Sequence, residues 1–306
     1  MSKRVFIAGH RGLVGSALVN KLQQRGDVEL LVASKTVLDL RHRDQVDFWM
    51  SDNRPDVIYL AAAKVGGIGA NSQHPTAFIL DNLQIQTNVI SAAQKLGARL
   101  VFFGSSCIYP KLAQQPIKEE CLLTGPLEPT NQWYAIAKIA GHMLCDAMQR
   151  EYGFSYVSLM PTNLYGPNDD YDPNGSHVVP AMIRRFVEAK IAKRSRVTCW
   201  GSGMALRELL YSRDLAEAAV MLEESNATGL VNVGSGMEYS IREIAQHVAA
   251  IVGYSGEIIW DTSKPDGTLR KLLDCSKLRT LIDWKATVDL ETGLRIACQD
   301  YQARHA

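Results

Sequence analysis

The amino-acid sequence predicts an α/β protein with a doubly wound parallel sheet and a smaller α/β domain toward the C-terminus. In the first half of the chain, short apolar runs of strand length alternate with longer stretches of helical periodicity. After Pro161 this alternation gives way to a polar, turn-rich loop at residues 168–175 and then to mixed strands and helices. We therefore expect one domain over residues 1–162 and a second over residues 163–306, with part of the second packing back on the sheet.

The individual elements follow from the same patterns. We expect strands, in chain order, at residues 5–8, 28–32, 57–60, 100–103, 156–160, 197–200, 230–233 and 258–260. We expect helices ending near residue 24 and covering residues 76–96, 134–152, 180–192, 240–252 and about 290 onward. Gly97 is a typical helix stop, and Ser240 with Glu243 has the spacing of a capping box.

Composition excludes several classes of function. The 306 residues include 33 basic and 32 acidic side chains, so the net charge of +1 provides no general attraction to nucleic acid or membranes. The six cysteines form no C-x-x-C pair, which argues against a zinc site or a disulfide framework. No secretory signal is visible and no apolar run approaches ~20 residues. We expect a cytoplasmic protein with no metal and no nucleic-acid or membrane partner.

A glycine-rich turn follows the first strand. Gly9, Gly12 and Gly15 stand between that strand and the first helix. The first glycine permits a tight turn, the second lets the backbone approach a pyrophosphate, and the third lets helix and strand pack closely. Leu13 and Val14 open the helix, whose free N–H groups attract an anion. The pattern predicts a dinucleotide-binding domain of the Rossmann type.

The residues after the second strand indicate which dinucleotide binds. NAD-binding proteins usually carry a carboxylate there to contact the ribose, whereas this chain has Ala33, Ser34 and Lys35, with Arg11 in the glycine turn. Two cations favour a 2′-phosphate and hence NADP(H). Asp39 would then contact the adenine. Alternatively, both cations are ordinary solvated surface charges.

The stretch at residues 104–110 follows the apolar run 100–103 at the carboxyl end of a predicted central strand, where open α/β sheets bind ligands. If the extended geometry persists, Ser105 and Cys107 point to the same side. A hydroxyl and a thiol would then lie side by side. The alternative is that these small residues form an ordinary turn.

Tyr134 and Lys138 are four residues apart and should be neighbours on one helix face. The phenol of a free tyrosine has a pKa near ~10. A nearby ammonium would lower this pKa and make the tyrosine a usable acid and base. By itself the pair could equally belong to a solvated helix face.

These motifs together resemble the extended short-chain dehydrogenase/reductase family, and the resemblance spans nearly the whole chain. The motifs are the glycine turn, residues 60–63, Ser105, Tyr134 with Lys138 and residues 163–167. Residues 104–111, 160–167 and 264–267 closely resemble the GDP-4-keto-6-deoxy-sugar epimerase/reductases of its nucleotide-sugar branch.

The resemblance implies a reaction and its residues. Ser105, Tyr134 and Lys138 would reduce C4 of GDP-4-keto-6-deoxy-D-mannose with NADPH, after Cys107 and His177 had inverted C3 and C5, giving GDP-L-fucose. Read without the family, His177 would be an ordinary surface-loop histidine. Besides the residues named above, the resemblance assigns to the cofactor Leu40, Ala61, Ala62, Ala63, Lys138, Pro161 and His177.

The resemblance also implies a nucleotide-sugar site and a homodimer. The residues it assigns to the GDP-sugar are Asn163, Arg185, Trp200, Arg207 and Lys271. Trp200 could instead belong to the core, and only one of Arg184 and Arg185 need function, because adjacent helical residues face different directions. The dimer would pack through the helices at residues 78–96 and 134–152.

Three departures from the family pattern, at Trp133, at residues 206–214 and in a short loop at residues 225–229, leave the exact sugar open. A bulky ring beside the sugar pocket could mark a GDP-4-keto-deoxy sugar of the colitose or heptose type. A catalytically inactive NADP-binding regulator is a further alternative.

Overall fold

The computed structural model describes residues 2–173, 175–264 and 266–305. Asn174 of the polar loop and Pro265 of the motif at residues 264–267 lie outside the described residues. The strands are β1 (Lys3–Ala8), β2 (Val28–Leu31), β3 (Val57–Leu60), β4 (Arg99–Phe103), β5 (Tyr156–Pro161), β6 (Asn163–Tyr165), β7 (Arg196–Trp200), β8 (Leu206–Tyr211), β9 (Gly229–Val233), β10 (Glu238–Ser240) and β11 (Glu257–Asp261).

Helices connect these strands. They are α1 (Leu13–Leu22), α2 (Arg43–Asn53), α3 (Ile68–Gln73), α4 (Pro75–Leu96), α5 (Gln132–Tyr152), α6 (Val178–Ile191), α7 (Ser212–Glu224), α8 (Ile241–Val252), α9 (Ser276–Leu281) and α10 (Leu290–His305). Among the described residues, no helix is both long and apolar enough to cross a bilayer.

The central sheet is parallel and has the order β2-β1-β3-β4-β5-β9. Apart from the partly exposed edge strand β2, its strands are largely buried on both faces: Ile7, Tyr59 and Val101 pack into one apolar cluster, whereas Ile58 and Phe102 pack into another. This division follows from the alternation of side chains along a strand covered by helices on both faces. The predicted doubly wound α/β fold is confirmed.

The second half of the chain does two things. Its strand β9 returns to the central sheet and pairs in parallel with β5. The remainder forms a three-stranded sheet, β10-β8-β6, and a two-stranded sheet, β11-β7. A separate apolar cluster holds α6, α8 and α10 together. The cluster supports the segments that face the carboxyl ends of the central strands.

Each predicted strand and helix is present, and the fold contains several further elements that were not predicted. Helix α2 buries only Val46 and Met50, so it shows almost no apolar periodicity. In strand β8, the charged residues Arg207 and Glu208 interrupt the apolar run that would predict a strand. Glu208 is nevertheless fully buried, because its carboxylate accepts the backbone N–H groups of Gly236 and Leu273.

Candidate active site

A cavity of about 860 Å³ lies at the carboxyl ends of the central strands, between the sheet and the C-terminal segments. All of the residues that we predicted for catalysis and for substrate binding line it. The predicted cofactor residues line it as well, with the exception of Arg11, which is exposed and is not among the described lining residues. The fold therefore brings together side chains from both halves of the chain.

The glycine turn forms a cradle at one end of this cavity. Gly9 has φ +90°, and a Cβ there would lie 2.7 Å from the Ala62 nitrogen. A Cβ on Gly15 would overlap the Gly9 carbonyl. Helix α1 starts at Leu13 with no side-chain cap and no acidic residue in its first turn, so its first N–H groups are free to bind an anion. The cradle fits a pyrophosphate.

Charged residues lie near the predicted adenosine end. Lys35 lines the cavity, and so does Arg41, which the sequence analysis did not single out. Asp39 forms an ion pair with Arg41 at 2.6 Å, and this guanidinium lowers the pKa of Asp39 to about 2. Because Asp39 is neutralised by Arg41, the charge of Lys35 remains available for a phosphate.

The structure corrects the geometry predicted for Ser105 and Cys107. Strand β4 ends at Phe103, and residues Ser106–Ile108 form a 3₁₀ turn instead of continuing the strand. The Ser105 Oγ accepts the Cys107 backbone N–H at 3.2 Å, as serine often does at the start of a helical turn. The hydroxyl and the thiol thus reach the same cavity through a turn.

Lys138 is the most buried cation of the site. Its side chain, on α5, is 3% exposed, and its Nζ donates to the Phe103 carbonyl at 2.7 Å. The Nζ also lies 5.8 Å from the centre of the Tyr134 ring. Burial lowers the pKa of Lys138 to about 7. Its charge is therefore adjustable near neutral pH.

The pKa of Tyr134 changes in the direction opposite to our prediction. Burial raises the pKa of this phenol, the charge of Cys107 raises it further, and a hydrogen bond with Ser105 opposes both effects. Lys138 does not lower it, because with a pKa of about 7 this ammonium has lost its proton before the phenol titrates. Tyr134 therefore holds its proton at neutral pH, as a proton donor must.

Cys107 and His177 lie in the walls of the same cavity. The Cys107 sulfur accepts hydrogen bonds from Asn131 at 3.2 Å and Lys271 at 3.4 Å. His177 immediately precedes α6 and lines the cavity. Desolvation lowers the pKa of its imidazole. The charge of Asp170 raises this pKa, and the charge of Lys271 lowers it. Lys271 thus interacts with both groups.

Asn131 was not among the residues predicted from the sequence. An asparagine just before a helix normally reads as a capping residue, and only the contact with the Cys107 sulfur distinguishes it. No sequence signal marks such a contact.

The far end of the cavity carries an exposed aromatic ring. Trp200 is 52% exposed and so does not belong to the core. The cationic groups of Arg185 and Lys264 both lie 5.7 Å from its ring centre. Arg184 instead pairs with Glu188 and is not among the described lining residues.

Two predicted substrate residues make backbone contacts in the cavity wall. The guanidinium of Arg207 donates to the Asp266 carbonyl at 3.0 Å, and the Asn163 amide donates to the Glu208 carbonyl at 3.2 Å. The exposed ring of Trp200 suits stacking with a nucleotide base. The nearby cations of Arg185, Lys264 and Arg207 suit its phosphates.

Both the sequence and the fold are similar to those of known proteins. The model of the NAD dependent epimerase/dehydratase family matches residues 5–234. The chain is 52% identical to a probable GDP-L-fucose synthase of Oryza sativa subsp. japonica, over 95% of this chain and 89% of that protein. It is 38% identical to a GDP-L-colitose synthase of Yersinia pseudotuberculosis, over 97% of both.

Solved structures agree with the sequence relatives. A GDP-6-OMe-4-keto-L-xylo-heptose reductase from C. jejuni superimposes with a TM-score of 0.92 at 33% identity, covering 99% of both chains. A GDP-L-fucose synthetase from Naegleria fowleri with NADP bound gives a TM-score of 0.89 at 25% identity, over 99% of this chain and 95% of that one.

Proposed function

The chain belongs to the NAD dependent epimerase/dehydratase family, and on that basis we propose that it is a GDP-L-fucose synthase. It is an NADP-dependent oxidoreductase with epimerase activity. It inverts C3 and C5 of GDP-4-keto-6-deoxy-D-mannose and then reduces C4. The observation that carries this proposal is a single cavity lined by Ser105, Tyr134 and Lys138 together with Cys107 and His177.

Reduction uses the first group of residues. The glycine cradle formed by Gly9, Gly12 and Gly15 would hold NADPH, which would supply the hydride for C4 when bound. Tyr134 donates its proton to O4. The phenol carries that proton at neutral pH because its pKa is raised. Ser105 is hydrogen-bonded to the phenol and donates to the same oxygen. Lys138, buried beneath the ring, orients the tyrosine.

Epimerisation uses the second group. The C3 and C5 protons are acidified because both carbons flank the C4 carbonyl, which accepts the electron pair as an enolate. Inversion needs one group to remove each proton and another to return one from the opposite face. Cys107 and His177 serve as this pair. The hydroxyls of Ser105 and Tyr134 stabilise the enolate oxygen in the manner of an oxyanion hole.

The nucleotide half of the substrate occupies the second domain, formed largely by residues 163–306. Trp200 offers its exposed face to the base, and Arg185 approaches the pyrophosphate with a fork of N–H donors. Asn163, Arg207 and Lys271 complete the wall around the sugar.

The alternative substrates are GDP-4-keto-deoxy sugars of the colitose or heptose type, since the Yersinia relative is named a GDP-L-colitose synthase and the C. jejuni protein a GDP-6-OMe-4-keto-L-xylo-heptose reductase. The departure at Trp133 does not favour them, because Trp133 is exposed and is not among the described residues that line the cavity. An inactive regulator would have no use for the complete set of acid and base groups in the cavity.

Substrate choice can be measured directly. GDP-4-keto-6-deoxy-D-mannose and its 3-deoxy analogue are offered separately with NADPH, and kcat/KM is compared. We expect the first to be preferred by about tenfold or more, since a site that hydrogen-bonds a hydroxyl discriminates against its absence. A preference for the 3-deoxy sugar would contradict the proposal, and no oxidation of NADPH with either sugar would favour the inactive regulator.

Assembly and location are further parts of the proposal. Leu80 on α4, and Ile136 and Met143 on α5, are exposed apolar side chains on two helices that pack together. A second copy covering this face would give a homodimer through a four-helix contact. The balanced charge supports a cytoplasmic enzyme without nucleic-acid or membrane partners.

A further inference from the structure

Two polar side chains outside the reductase group converge on the Cys107 sulfur. The Lys271 Nζ lies 3.4 Å from it and the Asn131 Nδ2 lies 3.2 Å from it. Both nitrogens are donors, and one carries a full positive charge. Hydrogen-bond donors and a nearby cation favour the ionised form of an acid over its neutral form. The sulfur therefore lies where an anion is stabilised.

The Asn131 side chain does not cap the helix that follows it, although asparagine often does so at this position. Asn131 immediately precedes α5, and its backbone carbonyl accepts the Ala135 N–H at 3.1 Å. Its side chain nevertheless makes no capping hydrogen bond. The amide donates to Cys107 instead, and its Oδ1 is buried without a partner among the described residues. An uncapped helix and a buried unpaired oxygen both cost stability. Both follow from the orientation of the Asn131 side chain, whose amide donates to the Cys107 sulfur.

Lys271 is held in place by its neighbours along the chain. The Leu272 N–H donates to the Gln115 Oε1 at 2.8 Å, and the Leu273 N–H donates to the Glu208 Oε2 at 3.0 Å. Among the described residues, the hydrogen-bond partner of the Lys271 Nζ is the Cys107 sulfur. The ammonium charge is thus directed at the sulfur.

The other titratable groups that face Cys107 do not duplicate this charge. Tyr134 on α5 keeps its proton, because burial raises its pKa. Arg207 on β8 interacts with Cys107 over a longer range, but its guanidinium donates to the carbonyls of Leu206 and Asp266. Among the described residues, Lys271 is the cation within hydrogen-bond distance of the sulfur.

We propose that Lys271 and Asn131 are positioning residues that hold Cys107 as a thiolate aimed into the cavity. The thiolate takes a proton from C3 or C5 of the ketosugar, forming an S–H bond, while the C–H electron pair moves into the enolate. This inference rests on the proposed function for its substrate. The state of the sulfur can nevertheless be measured without any sugar.

The measurement is the rate at which iodoacetamide alkylates Cys107, followed by mass spectrometry of the peptide that contains it, from about pH 6 to about pH 10. Lys271→Met should slow alkylation about tenfold near pH 7 and displace the profile toward higher pH, because an adjacent cation favours the thiolate. The rates should converge at the highest pH, where every thiol is ionised. Asn131→Leu should slow alkylation by a smaller factor, about threefold to fivefold.

The matched control is Arg270→Met. Arg270 precedes Lys271 in the chain, pairs with Glu238 and is not among the described residues that line the cavity. In this variant, iodoacetamide should alkylate Cys107 at the wild-type rate. In Lys271→Arg, Cys107 should retain most of the wild-type alkylation rate. If Lys271→Met does not fold, Asn131→Asp gives the second test, since a carboxylate beside the sulfur should slow alkylation.

Two outcomes would overturn the proposal. One is an unchanged rate in both the Lys271 and the Asn131 variants; the other is a slowing by the same factor at every pH, which indicates altered access to the sulfur. A displaced alkylation profile in an enzyme that turns over none of the GDP-ketosugars would leave this proposal standing and remove the proposed function.

Discussion

Replacement of Cys107 by serine is expected to slow hydrogen exchange at C3 and C5 of the ketosugar by about 100-fold or more. A hydroxyl is a far weaker acid than a thiol, whose ordinary pKa is near ~8.5, so the side chain of residue 107 is no longer a usable base near neutral pH and His177 is left without its partner in proton exchange. Reduction should be spared, because Tyr134, Ser105 and Lys138 remain in place. The measurement is deuterium incorporation from D₂O into GDP-4-keto-6-deoxy-D-mannose, set beside NADPH oxidation with the already epimerised ketosugar.

Cys121→Ser provides the matched control for this experiment. Cys121 is also a free and partly buried cysteine, but it is not among the described residues that line the cavity. The Cys121→Ser variant should catalyse hydrogen exchange at C3 and C5 and reduction at C4 at wild-type rates. Equal losses of exchange and reduction in Cys107→Ser would show that the thiol supports the whole site and is not the epimerisation base.

Replacement of Tyr134 by phenylalanine should have the reverse effect. Loss of the proton donor is expected to lower the rate of C4 reduction by about 10²–10⁴-fold. Exchange at C3 and C5 should fall much less, since the Ser105 hydroxyl can still stabilise the enolate oxygen. NADPH oxidation measures the first effect and deuterium incorporation in the absence of NADPH measures the second.

The matched control is Tyr152→Phe, which changes an exposed tyrosine at the other end of α5. Near-wild-type reduction by Tyr134→Phe would mean that another group protonates O4. A collapse of exchange as complete as that of reduction would mean that the two chemistries do not use separate residues.

The fold could be predicted from the sequence wherever a buried strand or an amphipathic helix leaves a periodic pattern. Strand β4 is apolar throughout except for Arg99, and Ser240 with Glu243 forms the predicted capping box. Strand β8 could not be predicted in this way. Its buried Glu208 depends on backbone donors from distant segments, which only the folded chain brings together.

The candidate site was predictable where single residues have a recognisable spacing, as in the glycine turn and in the Tyr134–Lys138 pair. The electrostatics were not. The pKa of Tyr134 depends on burial and on the nearby Cys107, and the pKa of Lys138 depends on how completely α5 packs on the sheet. Neither quantity is local in the sequence, so the predicted lowering of the tyrosine pKa by the lysine was wrong.

Arg41 illustrates the same limit. It lies only two residues after Asp39, yet nothing in the local pattern indicates that its guanidinium pairs with that carboxylate and lines the cavity. The resemblance to a family pointed to residues that line the cavity, whereas Asn131, which contacts the Cys107 sulfur, became visible only through that contact.

The central claim is that one cavity carries out both inversions and the reduction. Mass spectrometry of the product formed by the wild-type enzyme from GDP-4-keto-6-deoxy-D-mannose and NADPH in D₂O tests it most directly. Two carbon-bound deuterium atoms, one at C3 and one at C5, are the expected result, because each inversion returns a solvent proton while C4 receives hydride from NADPH. A product with a single deuterium, or with none, would contradict the account.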